Sequence, residues 1–501
     1  MNDLKPRILF WLAGSLIHFG IAESLQKKID AEFIGLVDVD ERPRKFFNAQ
    51  DLVKFEKIYF YRDEINLFRP FTHDIKYLQD FEEKFDLNLW FIIFMERSFY
   101  KYNKYHKFTY EEILNIVEQE CKFFEKILDE TKPDFFFIGL TDLHHNHLLA
   151  EMCKKRNIKV FYLGSTRFGY RASINELEDQ TNFVPNLKND EKRSFTELQS
   201  YLKKFDSLKQ SQMFAKKLRN RSRINKIKAF WKFFFIYDTK SYRNHFTRFG
   251  ITRMELIKKI PFSYKKRKTA KYMTNHALRK IDDTIPFIYY PLHSEPERAL
   301  SVTAPFFTNQ IEVITHIAKS IPMGFKLLVK DHPTMGLKGG RTIEFYESIM
   351  SLPNVEILHP SFPRDEVLRK CSIVITVTGT SALEGAFFDK ASIIMGDTPF
   401  EKISCVHKLE KINDLPKMIK KALKTKVNPS ELYQFIQYID NNSFDYNKAD
   451  LNTDFYSRFY FRGFLTVEEE IDIEEMKKYL EKHQQTFEIL AEEHFKKIQE
   501  D

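Results

Sequence analysis

The sequence predicts an α/β protein of two doubly wound lobes with a cleft between them, a helical insert joining the lobes, and helices at the C-terminal end. Short apolar runs recur with helix-length segments between them, and this alternation falls into two blocks separated by a strand-poor stretch. Length points the same way, because 501 residues exceed what a single hydrophobic core usually supports.

In the first block the runs are Arg7–Ala13, Glu32–Val37, Lys57–Tyr61, Leu89–Phe94, Asp134–Leu140 and Lys159–Gly164. Each is apolar on both faces, as a parallel strand covered by helices must be. Between them, Tyr110–Thr131 reads as a helix, with Ile113, Ile116, Val117, Cys121, Phe124 and Leu128 near a 3.6-residue period. The opening "RILFWLA" is a buried strand rather than part of a signal peptide, since Gly14, Ser15 and His18 follow it too soon. This lobe takes residues 1–185.

From 186 to 283 the chain is charged, helical in character and poor in strands. Between Asp206 and Asp238 there is no acidic residue, yet nine cations occur from Lys209 to Lys232, a concentrated share of the net charge of +9. Ile224, Ile227, Phe230, Trp231 and Phe233 to Phe235 lie among them. A basic, aromatic amphipathic helix over 209–235 suits an anionic membrane surface. The same composition suits a solvated connector whose aromatics pack on the lobes. No nucleic-acid recognition motif accompanies it, so no nucleic-acid partner is expected.

The strand pattern resumes in 284–425 with Phe287–Leu292, Lys326–Lys330, Val355–Leu358, Ile373–Val377 and Ser392–Met395, and with a helix over Asn309–Ser320. The tail, 426–501, contains "TVEE", a capping box on Thr466 and Glu469, ahead of an apolar stripe from Ile473 to Leu490 that reads as a packing helix. Four widely spaced cysteines imply reduced thiols in a cytoplasmic setting rather than a disulfide framework. No run approaches the roughly 18 apolar residues of a membrane span.

Open α/β sheets bind ligands beyond the carboxyl ends of their strands. In the second block those positions carry "HSEPE" with His293, Glu295 and Glu297, "KDHPTMG" with Lys330 and His332, and "TGTSALEG" with Thr380, Ser381 and Glu384. The Thr380–Ser381 turn opens a helix whose free N–H groups attract phosphate, although an ordinary strand–turn–helix carries such a turn too. Pro333 restricts His332, so the imidazole and the Lys330 ammonium are both suited to a nucleotide phosphate. Glu384, one turn into the helix, is placed to accept from a ribose diol.

Together these three segments resemble the C-terminal lobe of capsule polysaccharide biosynthesis proteins, a family similar to Kdo-type transferases and, more distantly, to bacterial polysialyltransferases and polyol-phosphate transferases. The resemblance covers Phe287–Asp397 and implies a GT-B glycosyltransferase with two Rossmann-like lobes and the donor nucleotide in the second. It implies that His332 and the Thr380–Ser381 turn hold the donor phosphate and that Glu384 takes the nucleotide sugar portion.

In the first lobe "LAGSLIHFG" places His18 on the first helical turn, where an unperturbed imidazole serves as general base; a histidine merely packed at a helix start reads the same. Asp142, at the end of "FFFIGL", and Glu297 are the other bases in view. Arg167 and Arg171 in "GSTRFGYR" suit an anionic acceptor or phosphate. "DLHHNH" supplies three histidines, but no fourth ligand is apparent and the spacing is not a ligand pattern, so no metal is expected. Neither is a cofactor, because the nucleotide-sugar is a substrate.

The expected activity is transfer of a sugar from a nucleotide-activated donor, a CMP-linked one among the options, to a surface or capsular polysaccharide acceptor, free or lipid-linked. Expected location is the cytoplasm, with contact to the inner face of the membrane. A sugar-nucleotide epimerase and a polyol-phosphate transferase of similar architecture are the rival enzymes. A glycan- or membrane-binding protein that kept the fold without activity is the rival from another class.

Overall fold

The computed structural model describes residues 5–67, 73–99, 105–186, 193–204, 262–295, 297–332, 340–460 and 469–500, with short pieces between. Most of the basic segment 209–235, Pro333 and Thr466 lie outside the described residues.

Among the described residues thirteen strands form two sheets. In the first half of the chain they are β1 (Arg7–Ala13), β2 (Glu32–Asp38), β3 (Lys57–Phe60), β4 (Phe135–Gly139), β5 (Lys159–Ser165) and β6 (Arg171–Asn175). The second half holds β7 (Phe287–Pro291), β8 (Lys326–Lys330), β9 (Val355–Leu358), β10 (Ile373–Thr376), β11 (Ser392–Ile394), β12 (Val406–Lys408) and β13 (Phe444–Asp445).

The N-terminal sheet runs β13-β6-β5-β4-β1-β2-β3. The five strands from β5 to β3 are parallel, while β6 and β13 attach antiparallel at the opposite edge. The C-terminal sheet runs β12-β11-β10-β7-β8-β9 and every pairing in it is parallel. Read from β9, that is the 3-2-1-4-5-6 order of a dinucleotide-binding fold. Both lobes are Rossmann-like, and together they give the GT-B-like architecture expected of the sequence.

Alternation along the strands explains the layering. Leu9 and Trp11 of β1 face one buried cluster and Ile8, Phe10 and Leu12 the opposite one, so both faces of this sheet are covered. Tyr110–Thr131 is helical throughout, with a capping box between Thr109 and Glu112. Leu89–Phe94, expected as a strand, is instead a short helix over Leu89–Ile93. Asn88 caps it by accepting from the Phe91 N–H, and burying Leu89, Ile92 and Ile93 at helical spacing leaves Trp90 and Phe91 outside.

The C-terminal helices return to the first lobe. Gln484–Gln499 packs against Ile17–Leu25, where Gly20 lies so close to Phe487 that an added methyl would overlap the ring. The helix Ile473–Lys482 starts from an Asp472 cap. Gly20→Ala is expected to destabilise the chain, because overpacking costs about 1–3 kcal/mol against about 1 kcal/mol of helix propensity gained. A lower urea midpoint checks this. All four cysteines are buried and unpaired. Among the described residues no helix is long and apolar enough to cross a membrane.

Candidate functional site

Strands β7 and β10 are neighbours in the sheet, but the chain leaves β7 toward β8 and β10 toward β11. The crevice at their carboxyl ends is therefore the topological switch point, where such folds bind ligands. His293, just past β7, closes it from one side. Its Nε2 lies 3.1 Å from the Thr376 hydroxyl and accepts from the Thr378 N–H at 3.3 Å. That assigns the proton to Nδ1 in the neutral ring. Burial, reinforced by Arg167, His332 and Arg341, lowers its pKa to about 3, so the ring is neutral at physiological pH. Gly379 is required here: a Cβ would stand 2.6 Å from Thr376 Oγ1.

From β8 come Lys330, Asp331 and His332. Lys330 is buried, and among the described residues no hydrogen bond or ion pair ties it down. Burial lowers its pKa and the Arg364 guanidinium adds to the effect, while Asp331 and Glu384 oppose it. Asp331 fixes the turn by accepting from the His332 N–H at 2.8 Å, from Arg341 Nε at 3.2 Å and from the Tyr346 hydroxyl.

Glu295 differs from expectation. Its carboxylate pairs with Arg341 at 3.0 Å and accepts from Gln310, and it does not line the crevice. Through Arg341, which also donates to the His293 carbonyl, it shapes the turn instead of meeting a ligand.

From β10 the chain passes through Thr378 and Gly379 into the helix Ser381–Ala386. Thr380 makes no side-chain cap; its hydroxyl is 3.4 Å from Glu384. Glu384 is buried and one of its oxygens accepts from Arg364 at 3.0 Å. Arg364, at the start of the helix that follows β9, was not picked out from the sequence, where only a Pro–Arg pair after a strand marked it.

These turns enclose one cavity of about 360 Å³. His293, Lys330, His332, Thr380, Ser381 and Glu384 line it together with Glu297, Arg364 and Arg167, the last reaching over from the first lobe. Arg167 donates to the Thr378 carbonyl and pairs with Asp179 at 2.8 Å. Arg171 turns away to Asp440 and does not line this cavity.

His18 does not line the cavity either. It is buried at the start of Ile17–Leu25, and among the described residues its Nε2 has no partner. Burial, with His494 and Lys448 nearby, lowers its pKa to about 3. It is therefore not a base poised near neutrality, and of the two sequence readings the histidine packed at a helix start is the one its burial fits. Asp142 is exposed after β4, held by Asn146 at 3.0 Å and 3.5 Å from Arg97.

Residues 194–406, which include the whole cavity except Arg167, match the model of the capsule polysaccharide biosynthesis protein family. This stretch is similar to that family, over a little under half of the chain. The matched segment spans β7 to β11 of the C-terminal sheet and ends at the first residue of β12. No curated protein matches the chain. Among solved structures, the UDP-GlcNAc 2-epimerase of Methanocaldococcus jannaschii is 14% identical over 87% of this chain and 100% of its own, with a TM-score of 0.23. The β-Kdo 2,7-transferase KpsC of Thermosulfurimonas dismutans is 10% identical over 63% of this chain and 88% of its own, at 0.30.

Proposed function

We propose that the chain is a glycosyltransferase that moves a sugar from a nucleotide-activated donor to a surface or capsular polysaccharide acceptor. One observation carries the reading. A buried lysine with no counter-ion among the described residues opens into a cavity at the switch point of a dinucleotide-type sheet, inside the segment that matches the capsule-family model. An unpaired buried cation costs stability unless a ligand anion completes it, and a donor phosphate is such an anion.

In this reading Lys330, His332 and the Thr380–Ser381 turn hold the phosphate, and Arg364 adds charge while orienting Glu384 toward the nucleotide sugar. As the glycosidic C–O bond lengthens, its electron pair passes to the phosphate oxygen. Lys330, His332 and the Nδ1–H of His293 stabilise that growing charge in a preorganised, poorly hydrated site. Glu297 lines the same cavity and is the carboxylate placed to take the acceptor hydroxyl proton, with Asp142 the alternative across the cleft. The exposed Ile227, Phe230, Trp231 and Phe235, at i, i+3, i+4 and i+8 of the basic segment, suit peripheral contact with the inner face of a membrane bearing lipid-linked acceptor.

Titration calorimetry with CMP-, UDP-, GDP- and CDP-linked compounds tests the reading. One nucleotide is expected to bind, and His332→Ala and Glu384→Gln are each expected to weaken it by about tenfold or more. Unchanged affinity in both variants removes the donor-site assignment. Consumption of the donor without any acceptor makes the enzyme an epimerase instead.

A further inference from the structure

The histidines of "DLHHNH" play no part in the donor cavity, and the fold carries two of them into a buried cluster of the first lobe. His144 and His145 open the helix His144–Lys155 and are each 1% exposed, while Glu96 and Glu120 are 0% exposed. His144 Nδ1 lies 3.0 Å from Glu96 Oε2 and its Nε2 lies 2.8 Å from Glu120 Oε2. The Tyr61 hydroxyl also donates to Glu120. His145 stacks on Tyr61, ring centroids 4.7 Å apart, with Trp11 at 5.4 Å. Among the described residues, neither ring nitrogen of His145 has a hydrogen-bond partner. Asp38 Oδ2, at 3.6 Å from Nε2, is beyond hydrogen-bond reach.

Two features of this cluster are costly as they stand. Glu96 and Glu120 outnumber the single positive charge that His144 can carry, so the trio buries excess negative charge. His145 buries two polar atoms that make no bond, where phenylalanine would fill the same aromatic slot without that penalty. One cation relieves both. Ligand atoms of Glu96, His144 and His145 all lie within 4.8 Å of one another.

We propose that Glu96, His144 and His145 hold a divalent ion of the zinc class as a structural centre. Two imidazole nitrogens and a carboxylate oxygen are ordinary zinc ligands. Glu120, accepting from His144 Nε2–H and braced by Tyr61, supplies the outer carboxylate that orients metal-bound histidines. The metal takes the lone pair of His144 Nδ1, and the proton that this nitrogen carried in the imidazolium passes to solvent. The ion would tie the turn after Leu89–Ile93 to the helix that follows Asp142, fixing one wall of the cleft. Such deep burial suits a structural role, not a catalytic one. Glu96 stands 48 residues before His144, which is why the local spacing of the histidines did not disclose the set. None of these residues lines the donor cavity, so the inference stands apart from the transferase reading.

The test is metal content and melting of the tag-free full chain, expressed with zinc and dialysed against metal-free buffer. About one zinc per chain is expected to remain, chelator is expected to lower the melting temperature, and zinc but not magnesium to restore it. His145→Phe decides the sign, because it keeps the ring stack and removes the ligand. With a metal centre the variant loses the ion and melts below wild type. Wild type with under about a tenth of an equivalent of metal and a variant that melts higher would show an unsatisfied imidazole only, and overturn the proposal. Zinc retained by His145→Phe overturns it as well, by placing the ion elsewhere. Glu96→Gln gives the same readouts should phenylalanine not be tolerated.

Discussion

Lys330→Met is expected to raise the melting temperature of the free chain and to abolish its response to nucleotide. The ammonium is buried, without a carboxylate partner among the described residues, at the end of β8. Methionine fills a similar volume without a charge to desolvate, so a gain of about 1–3 kcal/mol is expected in the absence of ligand. With ligand the sign reverses: removing one partner of a buried charge pair costs about 2–5 kcal/mol, roughly 30-fold to several thousandfold in Kd. The pH dependence follows from the lowered pKa. A lysine whose pKa is depressed by folding penalises the folded state while protonated. That penalty is complete below the folded value and fades as pH rises toward the unfolded value of about 10.4. The stability gap between Lys330→Met and wild type should therefore shrink in alkali. A variant that melts lower than wild type and binds nucleotide equally well would mean that Lys330 is a structural cation and the cavity not a phosphate site.

The residues that proved easy and hard to read divide along a physical line. Strands such as Phe287–Pro291 and Ile373–Thr376 are legible because burial on both faces demands an unbroken apolar run, and the polar residues that follow such runs stand out against them. Leu89–Ile93 is just as apolar, but at five residues the run carries too little periodicity to separate a strand from a helix. The Asn88 cap was the available cue. β12 and β13 are edge strands and β6 lies next to one; at two to five residues they have too few buried positions to leave a pattern. Among the site residues, His293 and Lys330 announce themselves locally. Arg364 and Arg341 do not, since their importance comes from meeting Glu384, Glu295 and Asp331 across the fold. His18 shows the reverse failure: an imidazole at a strand end looks like a base until the Gln484–Gln499 helix, over four hundred residues later, is seen to share in its burial.

The carboxylate that the sequence hid most completely is Asp179, and replacing it is expected to have the largest effect on stability. Its side chain is 5% exposed and joins the two lobes. One oxygen accepts from Arg167 of the first lobe at 2.8 Å; the other takes Arg298 of the second and the Thr303 hydroxyl at 3.0 Å. Arg298 also donates to the Thr141 carbonyl and pairs with Glu178 at 3.1 Å. Asp179→Asn isolates the charge, because Asp179 sits at φ +53°, a left-handed conformation that asparagine adopts as readily as aspartate. Breaking a buried pair by removing one partner costs about 3–5 kcal/mol, and here two guanidiniums lose their shared counter-ion. Arg167 would also lose the group that aims it at the Thr378 carbonyl on the cavity rim, so nucleotide binding should weaken alongside stability. Burial acts to raise the Asp179 pKa, but the Arg167 and Arg298 charges and their hydrogen bonds outweigh it, and the net direction is downward. A carboxylate depressed by folding contributes fully above its unfolded value of about 3.9 and loses that contribution as pH falls through its lower folded value. Chemical denaturation at pH 7 should therefore show the full deficit, and the curves of variant and wild type should converge in acid below about pH 4. A deficit under about 1 kcal/mol at neutral pH would place these ions among solvated surface pairs and leave the lobes held together by their other contacts.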